Sequence, residues 1–143
     1  MFKRKKYERD AVKLFRSNNC GILSTMSKKY EGYPFGSFIT YVSGKNRTLF
    51  VYTSDIAQHT INLKSNSKAC VTLSELETDF DKQNSSRLTL MGDLKKVSSE
   101  DIIECQERFL NFLPESKKYS SMHDFKYYKL EISRVRWIGG FGE

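Results

Sequence analysis

Apolar positions change period along this chain, and each change marks an element. Ala11, Val12 and Phe15 recur at helical spacing, which predicts a helix over 7–18 ending at Asn18-Asn19 before Gly21. Residues 21–27 (GILSTMS) read as a strand, and Gly32 to Pro34 as a turn. A longer strand over 37–43 closes through Gly44-Lys45-Asn46 into a hairpin with a strand at 48–53. Ser54 then stands where a helix N-cap belongs, and Ile56, Thr60 and Leu63 mark one face of a short helix.

Residues 68–74 (KACVTLS) predict a strand, 77–86 a polar loop, and 87–97 a strand interrupted by Gly92. An interior glycine marks a bulge or a close backbone approach. Ser98 and Asp101 have the spacing of a capping box, opening a helix with Ile102, Ile103, Cys105, Phe109, Leu110 and Phe112 before Pro114. Residues 126–133 and 134–138 each alternate as half-buried strands do. Tyr127 and Tyr128 point to opposite faces of the first, so at least one is expected at a surface or an interface.

The expected fold is mainly β within α+β: a six- to seven-stranded antiparallel barrel, one domain over 1–143, with about three flanking helices. Most links between strands are too short for βαβ crossovers. At 143 residues the chain can bury enough surface to fold without disulfide or metal.

Composition narrows the setting. Ten Phe, eight Tyr and one Trp favour a sheet-rich core or a flat aromatic-lined site. No apolar run approaches a membrane span, and the basic N-terminus lacks the apolar stretch of a secretory signal. Cys20, Cys70 and Cys105 are odd in number, far apart and without CxxC, so reduced thiols in the cytoplasm are expected. The net charge of +7 rests largely on Lys3, Arg4, Lys5 and Lys6. That cluster is equally an anion-attracting patch or a solvated helix start.

Chemistry is approached by elimination. The two histidines, His59 and His123, are distant, and no zinc spacing, GxSxG elbow, P-loop or GxGxxG is present. Enzymatic chemistry would belong to a bound cofactor. The turn from TLFVYT into Ser54, His59 and Thr60 offers hydroxyls and helix-start N–H groups to a phosphate. The same residues also read as an ordinary capped turn.

GILSTM at 21–26, GYPFGSFITY at 32–41, LFVYTSDIAQHTINL at 49–63, SRLTLMGDL at 86–94 and VRWIGGFG at 135–142 follow one another in register. Together they resemble the FMN-binding split-barrel superfamily, the pyridoxamine 5′-phosphate oxidase-like proteins. PFGS, HTxNL and GGFG look most like its haem-utilisation, HugZ-like branch. The resemblance spans roughly residues 8–142.

It implies FMN between two subunits of a homodimer. Ser37, Phe38, Ile39 and Thr40 match the strand lying along the flavin, and Tyr52 and Thr53 match a Tyr-Thr pair. Ser54, His59 and Thr60 fall at the phosphate grip, Arg87 where a Gln or Arg opens a later strand, and Trp137 where a Trp borders the flavin. The oxidases have Arg-Lys where this chain has Gln58-His59, and their Arg-x-His has no counterpart here. The iron-ligating histidine loop of haem-degrading members is also unmatched, and His123 reads as a surface residue.

The function implied is an FMN-dependent oxidoreductase acting on a small molecule, with haem as possible substrate or ligand. A second reading is FMN or haem storage without turnover. A third, a basic barrel for single-stranded nucleic acid, ranks below both, because RNP-type aromatics are absent and the charge is concentrated at one terminus.

Overall fold

The structure, a computed structural model, describes residues 2–75 and 81–140. Seven antiparallel strands form one curled sheet, a half-barrel, in the order β2-β1-β5-β6-β7-β4-β3. They are β1 (Cys20–Met26), β2 (Pro34–Thr40), β3 (Val42–Ser43), β4 (Leu49–Ser54), β5 (Lys68–Glu75), β6 (Ser86–Lys96) and β7 (Phe125–Ile138). The helices are α1 (Phe2–Ser17), α2 (Gln58–Ser65) and α3 (Ile102–Phe112), joined by a 3-10 stretch at Pro114–Ser121 and shorter 3-10 turns at Lys45–Arg47 and Lys82–Asn84.

Alternation along the strands sorts residues to two faces. Leu23, Val71, Leu73, Leu88, Leu90, Leu94, Leu49, Val51, Tyr128 and Leu130 fill the concave side, closed by Ala11, Leu14 and Phe15 of α1 and Leu63 of α2. A smaller core lies on the opposite side of β4, where Val42 and Phe50 meet Cys105, Phe109 and Leu113. Tyr127 packs into this second core while Tyr128 enters the first, so neither tyrosine is left bare as the sequence pattern suggested; α3 covers the face concerned.

Several boundaries differ from expectation for local reasons. The stretch 37–43 is split at Tyr41, whose hydroxyl donates to the Phe15 carbonyl at 2.6 Å and whose ring stacks on Phe15. Burying that ring against α1 breaks the strand, and burial pushes the Tyr41 hydroxyl's pKa up. Residues 126–138 are one strand, not two: Gly92 faces Ile132 and Met91 faces Arg134, leaving Ser133 as a bulge. Gly92 is there because a Cβ would lie 1.9 Å from the Glu131 carbonyl oxygen.

Helix α1 begins at Phe2 and takes in the Lys3–Lys6 cluster. The capping box does not form, since the Asp101 carboxylate receives Lys129 at 2.8 Å and Ser98 turns its hydroxyl toward that carboxylate. Residues 77–80 of the polar loop expected at 77–86, and the end of the GGFG motif, lie outside the described residues.

Candidate functional site

Helix α2 closes one end of the half-barrel, and its polar residues organise that corner. Thr60 and Asn62 are fully buried. Thr53, at the end of β4, turns its hydroxyl inward, 2.7 Å from His59 Nε2 and 3.4 Å from Thr60 Oγ1. Asn62 Oδ1 accepts from the Lys28 backbone N–H and from Gln58 Nε2, both at 3.0 Å, and its Nδ2 donates to Thr25 Oγ1 at 3.0 Å. The side chain thus ties α2 to the end of β1 and to the loop that follows it. Burial lowers the His59 pKa, so the ring is neutral near pH 7 and takes part as a dipole rather than a cation.

Ser54 does not cap the helix. It ends β4, its hydroxyl donates to Asp124 Oδ2 and accepts from the Ile56 N–H at 3.2 Å, and the residue at the cap position is Ala57. The Asp55 N–H meets the Asp124 carbonyl at 2.8 Å, and the Asp55 carboxylate draws Lys64 and Lys126 to 3.6 and 3.7 Å. Ile56 precedes the helix and is 80% exposed, so the apolar face of α2 is made by Leu63 with Thr60 and Asn62 instead. Two carboxylates therefore stand at the corner expected to grip a phosphate.

The remaining expected residues divide between places. Ser37 and Ile39 face the concave side of β2, where the Ser37 hydroxyl is buried without a partner. Phe38 faces outward and is 68% exposed. Tyr52 lies on the other side of β4 from Thr53, stacked on Tyr127 at 4.2 Å and tilted against Phe109 and Phe125. Strand alternation, not the Tyr-Thr pairing, decides this: adjacent residues cannot share a face.

Arg87 and Trp137 sit at the far end of the sheet. Thr53 pairs with Lys126 and Arg87 with Ile138, so most of β7 separates them, on the order of 35–40 Å of extended chain at ~3.3 Å per residue. The Arg87 guanidinium donates to the Gln83 carbonyl at 3.1 Å. Within one chain, Arg87 and His59 cannot touch the same small ligand. Sequence reasoning missed Thr25, Asp55 and Asp124; Asn62 was visible only as part of HTxNL.

The outward face of the sheet is the other notable surface. Phe38 and Ile22 are paired neighbours there, with Met26 and Met91 also exposed. A trough of about 410 Å³ is lined by Met26, Pro34, Lys68, Cys70, Met91 and Asp93. Among the described residues no His, Cys, Asp and Glu group has metal-binding geometry, and no helix is long and apolar enough to cross a membrane.

Three relatives set this geometry in context. The chain is 31% identical over 121 residues to the chloroplastic haem oxygenase HOZ of Arabidopsis thaliana, covering 85% of this chain and 36% of that one. A haem-binding protein from Mycobacterium smegmatis superposes with a TM-score of 0.84 at 29% identity, over 94% of this chain and 54% of that one. HutZ of Vibrio cholerae, a haem storage protein, shares the fold with a TM-score of 0.74 at 22% identity, over 91% of this chain and 93% of that one. The chain thus spans about a third of HOZ and about half of the mycobacterial protein. The CREG β-barrel family model matches residues 3–143, and the chain belongs to that family, within the FMN-binding split-barrel superfamily.

Proposed function

We propose that two copies of this chain pair through the outward face of the sheet and bind haem in the seam between them. The observation that carries this is the face itself. Phe38 (68% exposed) and Ile22 (46%) form an apolar centre beside a trough whose rim includes Lys68. Such a patch, rimmed by polar side chains, is the signature of an association surface. Lys68 at the trough, with Arg134 on the neighbouring outward row, supplies cations for haem's carboxylates. The HOZ and mycobacterial relatives, both named for haem, support the choice of ligand.

FMN is the second reading, and its fit is divided. The unpartnered Ser37 hydroxyl on β2 fits a ligand with a polar edge. The phosphate corner offers no excess positive charge: His59 is neutral, and Lys64 and Lys126 are drawn to Asp55, with Asp124 alongside. Bound FMN would supply electron transfer. The chain would supply hydroxyls and Arg87, reaching the ligand only from the partner copy.

Haemin titration, read in the Soret band, with light scattering on the same samples, tests the first reading. Binding by a dimer, with both lost in Phe38→Glu, is the expected result. A monomer at micromolar concentration that still binds haemin would refute the seam. Failure of haemin beside tight FMN binding would favour the flavin. Product formation from haem with a reductant would separate turnover from storage. Salt-sensitive oligonucleotide binding by colourless protein would displace both readings.

A further inference from the structure

The second half of β7 is paired only to β6, because β4 ends its pairing at Leu130. Helix α1 lies across the opening this leaves. Between them is a groove of about 760 Å³, within the range of small-molecule sites. Its floor is apolar and buried, made by Ala11, Phe15, Leu88 and Leu90. Trp137 lines it with its ring, while the indole Nε1–H is closed off from the groove and has no acceptor among the described residues.

Among the described residues the rim carries a net positive charge, from Arg4 and Arg47 against Glu8. Arg4 lines the groove and forms no ion pair among the described residues. The one rim carboxylate among the described residues, Glu8, is occupied by Arg47 at 2.9 Å. Asn46 and Arg47, with φ of 56° and 58°, are the central pair of the β3–β4 hairpin turn, which sets this side of the rim.

We propose that this groove binds an amphipathic carboxylate, its apolar body on the Phe15–Leu88–Leu90 floor and against the Trp137 ring, and its acid group at Arg4. The site is independent of the seam reading. It lies on the concave side of the sheet, whereas Phe38 and the trough face outward.

Trp137 is the chain's single tryptophan, so its emission reports occupancy directly. The full chain is titrated with dodecanoate below its micelle concentration, and in parallel with dodecyltrimethylammonium. A saturable change with dodecanoate, at least about tenfold weaker with the cation, is expected. Arg4→Glu should weaken dodecanoate about tenfold and Val135→Glu, at an exposed position on the lining, should abolish it. Both should leave the haemin and FMN titrations unchanged. Equal binding of the cation, or an unaltered Arg4→Glu titration, would overturn the assignment. So would FMN competing with dodecanoate. Ligand-free emission that changes with protein concentration would place a second copy in the groove instead, and would equally overturn it.

Discussion

Asn62 offers the sharpest test of how the α2 corner is held. Replacing it with alanine removes three hydrogen bonds at once, from the Lys28 N–H, from Gln58 Nε2 and to Thr25 Oγ1. Gln58 is half-buried on a flexible side chain, which can turn to exchange its lost partner for water. The Lys28 N–H is part-buried and Thr25 is nearly fully buried, so these two bear the loss. Each stranded buried group costs about 1–3 kcal/mol, and rotation of the Thr25 hydroxyl recovers part of its share. A loss of about 3 kcal/mol is expected, on the order of a hundredfold in the folded-to-unfolded ratio and a large fraction of a typical domain's stability. Urea unfolding of Asn62→Ala, Thr25→Val and the double variant measures it. The double variant should lose less than the two singles together, because one bond is counted in both. A single-variant loss below about 1 kcal/mol, or strict additivity, would refute the network.

Gly92→Ala should cost at least about 2 kcal/mol in the same assay, since its Cβ would meet the Glu131 carbonyl oxygen at 1.9 Å and backbone must move. In dilute, ligand-free protein a thiol reagent should react at Cys20 and Cys70, which are half-buried in the single chain, and the proposed seam should protect Cys70. Cys105, fully buried and with its pKa pushed up by burial, should react only on unfolding. Acidification should destabilise the fold below about pH 6.5, the ordinary imidazole value. Burial lowers the folded His59 pKa, so between that value and the ordinary one the unfolded chain binds more protons. Comparing urea midpoints at pH 7.5 and 5.5 for wild type and His59→Gln isolates this contribution, and an identical pH response in both would exclude His59 as its source.

The order of elements was legible because it depends on local signals. The strands expected at 68–74 and 87–97 became β5 and β6, and Gly92 marked the irregularity it was expected to mark. What local signals did not carry was tertiary coverage. Nothing within Ser37 to Ser43 announces that Tyr41 will leave the ladder, because the cause is Phe15, far off in sequence. Nor does Tyr127-Tyr128 show that α3 will cover the outward ring. The missing capping box has the same origin, since Asp101 finds Lys129 across the fold.

The site was harder still, because a motif read along the chain says which residues occur together, while strand geometry says which of them face together. Tyr52 and Thr53 are adjacent and so are divided between the aromatic cluster under α3 and the hydroxyl corner under α2. Thr25 lies within GILSTM but nothing in that segment marks it, Asp124 has no motif around it, and both are brought to that corner by pairing and by α2. Arg87 and Trp137 show the limit most clearly. They stand on the neighbouring rows of one antiparallel pair, opposite Ile138 and Leu88, yet they point to opposite faces of the sheet. Any ligand of His59 reaches Arg87 only through a second molecule, whereas Trp137 belongs to a groove within its own chain. One sequence pattern therefore serves at least two surfaces, and substitutions at its two ends should separate in their effects rather than accumulate on one ligand.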